Sequence, residues 1–278
     1  MRREIAQSRI AVTGASQGIG KAIAIAAAAR GAKVLAIARS AEMLDQLAQS
    51  VRAKGGTIAT VVADVTKPED RQGMVAAARE HFGGIDILIN NAGIGATGHF
   101  VEVSPDRLRK IMEVNFFGLT ETTRVFLPLL KSGRKPAIVN ISSIAAKRGI
   151  PARSEYSASK FAVHGFSQAL RAELAKDGID VLIVSPGLTQ TNFSQNMLEQ
   201  KARMPVDHMR GMSAEEVAEI TLRAIERGTP EVTLTFQGKL IAFVNRFFPR
   251  LADKIAAKRV RELFKDEIEA RKKSTQQE

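Results

Sequence analysis

Residues 10–20 read Ile10-Ala11-Val12-Thr13-Gly14-Ala15-Ser16-Gln17-Gly18-Ile19-Gly20, so that a short apolar run leads directly into a glycine-rich loop. An alanine-rich segment follows, and its small side chains allow a helix to pack closely on a strand. Glycines let the backbone turn tightly and approach a pyrophosphate, whose charge then lies at a helix N-terminus. The glycine spacing is Gly-x-x-x-Gly-x-Gly, and its position between a strand and a helix predicts a nucleotide-binding turn.

Apolar, β-branched runs alternate with longer helical patterns from residue 9 to residue 236. Most of these runs have no polar face, which is typical of parallel strands that helices cover on both sides. The predicted strands are residues 10–13, 33–37, 58–63, 85–90, 137–141, 180–185 and 231–235. We therefore predict an α/β fold with a doubly wound, Rossmann-like parallel sheet and a ligand site at the carboxyl ends of its strands.

Composition excludes several classes of protein. The 278 residues are enough for one α/β domain plus an extension, and the absence of cysteine excludes disulfides, thiolate metal sites and cysteine nucleophiles. The four histidines show no ligand spacing, so we expect no metal site. No secretory signal and no uncharged apolar run of spanning length are present, so we expect a cytoplasmic protein. The net charge of +12 favours contact with an anionic partner.

The end of the second predicted strand indicates which cofactor is preferred. An acidic residue at this point usually binds the ribose 2′-hydroxyl of NAD, whereas an arginine accommodates the 2′-phosphate of NADP. No carboxylate lies between Ala32 and Ala41, and Arg39 is available. This pattern predicts NADP(H) in preference to NAD(H); the alternative is that Arg39 is simply a solvated side chain.

The segment Ser154-Glu155-Tyr156-Ser157-Ala158-Ser159-Lys160 places a phenol and an ammonium four residues apart. On a helix, Tyr156 and Lys160 then share one face, and the cation favours the phenolate. Such a pair can act as a general acid or base near neutral pH. The spacing by itself is also common on solvated helices, but Tyr156 is the only tyrosine in the chain.

Taken together, a set of motifs over residues 9–236 resembles the short-chain dehydrogenase/reductase family in order and spacing. They are Thr13-Gly14-Ala15-Ser16-Gln17-Gly18-Ile19-Gly20, Asp64-Val65, Asn90-Asn91-Ala92-Gly93, Asn115, Ser142-Ser143, Tyr156 with Lys160, and Pro186-Gly187. The resemblance implies an oxidoreductase that transfers a hydride between NADP(H) and a carbonyl or secondary alcohol. It also implies a catalytic set, which would be Asn115, Ser143, Tyr156 and Lys160.

In this set, Ser143 would stabilise the substrate oxygen, Lys160 would also bind the nicotinamide ribose, and Asn115 would hold a water for proton relay. A structural hydrogen bond is the alternative role for Asn115. The cofactor-binding residues implied by the resemblance are Gly14, Ser16, Gln17, Gly18, Ile19, Gly20, Arg39, Asp64, Val65, Asn91, Ala92, Gly93, Tyr156, Lys160, Pro186, Gly187 and Thr189. Asp64 has a turn or N-cap role as its alternative, and Thr191 is a weaker candidate than Thr189.

The chain departs from the family pattern after the last predicted strand. We assign residues 1–237 to the Rossmann-like, NADP-binding catalytic domain and residues 238–278 to a basic, amphipathic helical extension. Between Lys239 and Lys273 there are eleven Lys and Arg residues against five Asp and Glu residues, a local charge of +6. This pattern fits a peripheral membrane contact, or a helix that covers the substrate cleft or a partner subunit.

The substrate is less well defined by the sequence. Lys147, Arg148 and Arg153 flank the catalytic segment and suit an anionic or carrier-linked substrate, or are merely solvated. Residues 192–209, with Met197, Met204 and Met209, occupy the position of a substrate lid and favour an apolar substrate. A lipophilic carbonyl substrate is the primary hypothesis; the alternatives are a 3-oxoacyl-carrier-protein reductase and a non-catalytic NADP-binding regulator.

By resemblance, helices at 106–130 and 155–176 would pair two subunits in a homodimer or homotetramer, and no nucleic-acid partner is expected.

Overall fold

A computed structural model of the protein describes residues 2–193, 197–202 and 211–265. The strands are β1 (Arg9–Thr13), β2 (Lys33–Ala38), β3 (Thr57–Val62), β4 (Ile87–Asn90), β5 (Ala137–Ile141), β6 (Asp180–Ser185), β7 (Thr189–Gln190), β8 (Met212–Ser213) and β9 (Glu231–Thr233). The α-helices are α1 (Gly18–Ala29), α2 (Ala41–Arg52), α3 (Pro68–Phe82), α4 (Pro105–Met112), α5 (Gly118–Lys131), α6 (Ser154–Leu174), α7 (Ala214–Arg227), α8 (Phe236–Phe247) and α9 (Pro249–Leu263). A π-helical turn, Glu113–Phe117, joins α4 to α5.

The main sheet has seven parallel strands in the order β3-β2-β1-β4-β5-β6-β9. The predicted doubly wound, Rossmann-like sheet is therefore confirmed. Strand order reverses between β1 and β4, which are hydrogen-bonded neighbours although two strands separate them in the chain. In open α/β sheets the ligand crevice lies at such a switch point, outside the carboxyl ends of the strands.

Two predicted strands are longer than the observed ones. Strand β4 begins at Ile87 rather than at residue 85, and β9 ends at Thr233 rather than at residue 235. The second difference has a clear cause, because the Thr235 hydroxyl accepts a hydrogen bond from the Gly238 amide at 3.0 Å and caps α8. The chain therefore leaves the sheet to start a helix.

Side-chain alternation along the strands divides the core into two layers. On β1, Ile10 and Val12 face the layer that α1, α2 and α7 cover, whereas Ala11 faces the layer beneath α3, α5 and α6. Both layers are almost wholly aliphatic, with Phe126 as the largest side chain that is fully buried. Burial on both faces explains why the strands show no polar face in the sequence.

Helices α8 and α9 lie beside the carboxyl end of β5. The Asn245 amide donates to the carbonyl of Lys147 at 2.9 Å, and Asp253 forms an ion pair with Arg148 at 2.7 Å. Phe264 is buried and packs edge-on against His99, with 4.6 Å between ring centroids. None of the helices in the described ranges has the length and apolar character needed to cross a bilayer.

Candidate active site

One cleft, with a volume of about 470 Å³, follows the carboxyl ends of β1, β2, β4, β5 and β6. This volume is typical of small-molecule and cofactor sites. The cleft is lined by every predicted cofactor residue apart from Gly20, which lies directly behind the loop, and by the predicted catalytic residues Ser143, Tyr156 and Lys160. The fold thus brings together motifs that are spread over more than 170 residues of sequence.

The glycine-rich loop is built without room for side chains. Gly14 has φ +65° and Gly18 has φ +55°, and a Cβ on Gly20 would lie 2.3 Å from the carbonyl oxygen of Gly14. Within the part of the chain that the structure describes, no side chain caps the start of helix α1, and the first turn of this helix contains no acidic residue. Gly18 and Ile19 in this first turn line the cleft, and free amides at a helix N-terminus favour an anion such as a pyrophosphate group.

Asn91 and Thr13 hold this loop against β4. The Asn91 side-chain amide donates to the carbonyls of Thr13 and Gly14 at 3.0 and 3.1 Å. The Thr13 hydroxyl accepts from the amides of Asn91 and Ala92 at 3.0 and 3.1 Å. Asn91 therefore positions the loop, and the sequence did not distinguish this role from direct contact with a cofactor.

The opposite end of the cleft carries Arg39 and Asp64. The Arg39 side chain is 72 % exposed, and one of its nitrogens lies 3.9 Å from an Asp64 carboxylate oxygen. The other Asp64 oxygen accepts from the amide and hydroxyl of Thr66 at 2.9 and 2.8 Å. Asp64 thus forms the turn that sequence reasoning gave as its alternative role, while it still lines the cleft beside Val65.

Tyr156 lies in the first turn of α6 and lines the cleft together with Ser143, which follows the end of β5. Burial raises the pKa of Tyr156, and the Ser143 hydroxyl and the Arg153 guanidinium oppose that rise. Without a bound cofactor, the cation that favours the phenolate form of Tyr156 is therefore Arg153, which lies three residues earlier in the chain. The sequence-based hypothesis assigned this effect to Lys160.

Lys160 is buried on the same face of α6, with its ammonium 5.8 Å from the centre of the Tyr156 ring. It donates to the Ile141 carbonyl at 3.0 Å, and desolvation lowers its pKa to about 8. A lysine in this range exchanges a proton readily near neutral pH. Tyr156 and Lys160 thus share one helix face as the sequence spacing predicts, and burial moves the pKa of Lys160 towards neutral pH.

Asn115 is fully buried in the π-helical turn. Its side-chain oxygen accepts from the Ile94 amide at 2.8 Å, while its nitrogen donates to the Ile94 carbonyl at 2.9 Å and to Ser159 at 3.0 Å. Both amide protons are therefore used within the protein. These contacts join the loop after β4 to α6, and they correspond to the structural alternative for this residue.

The Pro186-Gly187-Leu188-Thr189 segment forms the far wall of the cleft after β6. The Pro186 carbonyl accepts from the Ile144 amide at 2.9 Å, which ties this wall to the loop that carries Ser143. Thr189 uses its hydroxyl on the Gly187 carbonyl at 3.3 Å, while Thr191 lies beside Gly18. Both threonines line the cleft, so the structure does not separate the stronger candidate from the weaker one.

Sequence reasoning missed a buried ion pair next to the active site. Arg107 on α4 is paired with Glu155 on α6, and both side chains are almost fully buried. The Arg107 guanidinium also donates to the Thr97 carbonyl at 3.2 Å and lies 3.3 Å from Glu199. The network fixes the residue before Tyr156. A buried Glu beside a catalytic Tyr has no local sequence signal, because its partner lies 48 residues away.

Part of the predicted lid lies outside the described residues, including Met204 and Met209. Its described parts are residues 192–193 and 197–202. The second part runs alongside the loop after β4, where the Leu198 amide donates to the Gly95 carbonyl and the Thr97 amide donates to the Glu199 carbonyl, both at 2.9 Å. Phe193, which the sequence did not single out, packs on Tyr156 with 5.8 Å between ring centroids. Apolar side chains therefore border the reacting hydroxyl.

The arrangement agrees with comparisons to known proteins. The family model described as short chain dehydrogenase matches residues 8–202. The chain is 33 % identical over 253 residues to a protein named ketoacyl reductase HetN from Nostoc sp., a match that covers 88 % of this chain and 87 % of that one.

Solved structures show the same fold. A short chain dehydrogenase from Burkholderia cenocepacia in complex with NADP matches with a TM-score of 0.78 and 31 % identity, over 91 % of this chain and 99 % of its own. A short chain dehydrogenase/reductase from Burkholderia phymatum in complex with NAD matches with a TM-score of 0.83 and 24 % identity, over 90 % of this chain and 96 % of its own.

Proposed function

The chain belongs to the short-chain dehydrogenase/reductase family, and from this premise we propose that it is an NADP(H)-dependent oxidoreductase of a lipophilic carbonyl or secondary alcohol. The observation that carries the proposal is that Ser143 and Tyr156 line the same cleft as the glycine-rich loop, with buried Lys160 one helical turn beyond Tyr156. Two hydroxyl groups in one cleft can both donate hydrogen bonds to the carbonyl oxygen of a substrate.

The chain's own groups provide the acid–base part of the reaction. When bound, the nicotinamide supplies or accepts the hydride. In the reducing direction Tyr156 donates its hydroxyl proton to the carbonyl oxygen, and Ser143 donates a hydrogen bond to the same oxygen as negative charge develops on it. The Arg153 guanidinium favours the Tyr156 phenolate as the proton leaves, and Lys160, whose pKa burial lowers to about 8, lies on the same face of α6. The oxidising direction uses the same groups in reverse.

The test is the initial rate of NADPH oxidation with long-chain ketones, aldehydes and 3-oxoacyl thioesters. Tyr156→Phe keeps the ring that packs on Phe193 and removes the proton donor. We expect kcat to fall by about 10²- to 10⁴-fold, the usual contribution of a general acid, while NADPH affinity is unchanged. Near-wild-type turnover in this variant would refute the assignment.

We further propose that NADP(H) is preferred to NAD(H). The support is an exposed Arg39 at the end of β2, followed by Ser40, whose hydroxyl caps α2 by accepting from Met43 at 3.4 Å. A charged hydrogen bond to a phosphate contributes about 1.5–3 kcal/mol, so Arg39→Ala should raise the KM for NADPH about 10- to 100-fold. The KM for NADH should hardly change. Equal rises for both cofactors would contradict the preference.

A second candidate function is reduction of 3-oxoacyl thioesters. It is favoured by the likeness to a protein named ketoacyl reductase HetN and by Arg153, a basic residue that lines the cleft and suits an acidic carrier. Comparison of carrier-linked and free long-chain ketones at equal concentration distinguishes the two candidates. A kcat/KM that is higher for the carrier-linked substrate, and that falls with added salt, would favour the thioester.

We also propose a homodimer formed through α4, α5 and α6. The support is that Phe117 and Phe161, on the outer side of this region, are 48 % and 46 % exposed in the single chain. Light scattering of the purified protein gives the mass directly. A monomer at micromolar concentration, or a dimer that survives Phe161→Glu, would contradict this interface.

Finally, we propose that α8 and α9 contact an anionic membrane surface with the side that faces away from the cleft. Phe243 and Phe247 are 53 % and 59 % exposed, and the guanidinium of Arg246 lies 5.8 Å from the Phe247 ring. Exposed aromatic residues among basic ones suit the lipid headgroup boundary. We expect co-sedimentation with phosphatidylserine vesicles at low salt, and its loss in Phe243→Ser/Phe247→Ser. No binding to these vesicles would refute the contact.

A further inference from the structure

The three basic residues that flank the catalytic segment have different environments. Lys147 forms an ion pair with Glu231 and lies beside His164. Arg148 is paired with Asp253 at 2.7 Å and donates to Asn245 at 2.9 Å. Both side chains are thus neutralised by the protein itself, and neither of them lines the cleft.

Arg153 differs from both. Its Nε atom is buried without a hydrogen-bond partner, and none of the residues that the structure describes forms an ion pair with its guanidinium. The side chain as a whole is half-buried, and an N–H group that is removed from water and left unpaired is unfavourable in a folded protein. An arginine kept in this state in a cleft therefore indicates a partner that arrives from solution.

The backbone holds this arginine in place at some energetic cost. Ala152 has φ +57°, a left-handed conformation that residues with a side chain rarely adopt. The carbonyl of Ala152 accepts from the Gly98 amide at 3.0 Å, and the amide of Arg153 donates to the Ile150 carbonyl at 3.0 Å. Strained backbone fixed by its surroundings is a feature of functional sites.

The position of Arg153 increases its attraction for an anion. It is the N-cap residue of α6, so the partial positive charge of the helix end adds to that of the guanidinium. Among the described residues that line the cleft, the one carboxylate is Asp64, which lies at the opposite end beside Arg39. Near Arg153 the lining includes the apolar side chains of Ile150 and Phe193, which keep the local dielectric low.

We propose that Arg153 is a substrate-binding residue that pairs with an oxyanion, a carboxylate or a phosphate, carried by the substrate within a few bonds of its reacting carbonyl. The inference rests on the proposed function, since it uses the same cleft and deepens the choice of substrate. A hydrocarbon chain can lie along the apolar lining while the oxyanion meets the guanidinium in a bidentate pair. The substrate class is thus an amphiphile that bears one oxyanion.

Binding of inert ligands tests this without turnover. Calorimetric titration of the NADP⁺-loaded protein would compare decanoate, decyl phosphate and decanamide, which share one chain and differ in head group. We expect the better oxyanion to bind the wild-type protein at least about tenfold more tightly than decanamide, which corresponds to one charged hydrogen bond. Whether decanoate or decyl phosphate binds more tightly identifies the oxyanion.

Variants assign the effect to Arg153. In Arg153→Met the preference for the oxyanion should disappear, while decanamide binds as before, and Arg153→Lys should keep part of it. Arg148→Met is the matched control, because it removes the same charge from the same flank but from a side chain that is already ion-paired. An equal affinity of wild-type protein for all three ligands, including no binding of any, would overturn the inference. So would a preference that persists in Arg153→Met.

Turnover separates this inference from the proposed function. If neutral long-chain ketones are reduced, with loss of activity in Tyr156→Phe, but Arg153→Met leaves the ratio of kcat/KM for oxyanion-bearing and neutral ketones unchanged, the oxidoreductase stands and the oxyanion site falls. If the oxyanion preference is found and depends on Arg153, yet Tyr156→Phe leaves turnover unchanged, the site stands and the assigned chemistry falls.

Discussion

Replacement of Lys160 by methionine should abolish catalysis and yet stabilise the fold at neutral pH. The side chain is buried, and its ammonium has one hydrogen bond within the protein, to the Ile141 carbonyl at 3.0 Å. Desolvation lowers its pKa from 10.5 to about 8. At about 1.4 kcal/mol for each pH unit, keeping this group protonated in the fold at pH 7 costs about 3 kcal/mol. Methionine has a similar length and no charge.

The loss of the hydrogen bond to Ile141 offsets about 1 kcal/mol of that gain. Lys160→Met should therefore raise the free energy of unfolding by about 2 kcal/mol at pH 7. The advantage should fade with rising pH, since a folded-state pKa below the unfolded one means that the unfolded chain binds more protons between about pH 8 and pH 10.5. Across that range the wild-type protein gains stability relative to the variant, and the difference should approach zero near pH 10.

Urea unfolding of the cofactor-free protein at pH 7, 8, 9 and 10 measures both effects. Lys254→Met, which removes an exposed lysine on α9, is the charge-matched control and should change little at any pH. A variant that is less stable than wild type at pH 7, or a gain that stays constant up to pH 10, would refute the assignment of a buried, desolvated ammonium at residue 160.

Three further substitutions probe the scaffold around the site. Arg107→Met leaves Glu155 buried without its partner and should lower the free energy of unfolding by about 3–5 kcal/mol in urea titrations. Adding Glu155→Gln should recover most of this loss. No recovery would mean that the two side chains are not coupled. Gly20→Ala would place a methyl group 2.3 Å from the Gly14 carbonyl oxygen, so we expect the free energy of unfolding to fall by about 1–3 kcal/mol. NADPH binding, measured by fluorescence titration, should also weaken. An affinity equal to that of the wild-type protein would contradict the close approach of the loop at Gly20. Gly73→Ala, within α3 and with open space around it, should instead raise stability by about 1 kcal/mol, and destabilisation would show an unrecognised contact.

The sequence identified the parts of the fold whose signal is local. Uninterrupted apolar runs predicted the strands because both faces of the sheet are covered, and the observed fifth and sixth strands have the predicted bounds. The glycine-rich turn was recognised because its backbone conformation excludes side chains at Gly14 and Gly20. The spacing of Tyr156 and Lys160 was informative because a helix of 21 residues places both on one face.

The roles of several polar residues depended on partners that are distant in sequence. For Asn115 the sequence predicted a water for proton relay or a structural hydrogen bond; the structure adds that its amide protons are donated to Ile94 and Ser159, and the π-helical turn that holds it has no pattern of its own in the sequence. The Arg107–Glu155 pair gave no signal for the same reason. A hydrogen bond between residues that are distant in sequence forms only when whole helices and strands pack together. The hydrophobic periodicity of the sequence contains no information about such a contact.

The sequence by itself determined the class of fold, the positions of most strands along the chain and the residues available for proton transfer, because periodicity and backbone requirements depend on neighbouring positions. Only the tertiary structure decided which charges remain uncompensated. Lys147 and Arg148 are neutralised by Glu231 and Asp253, and Arg153 is left unpaired in the cleft. The physical reason is that desolvation and charge pairing depend on distances in space, and these are set only when sheet, helices and loops pack together.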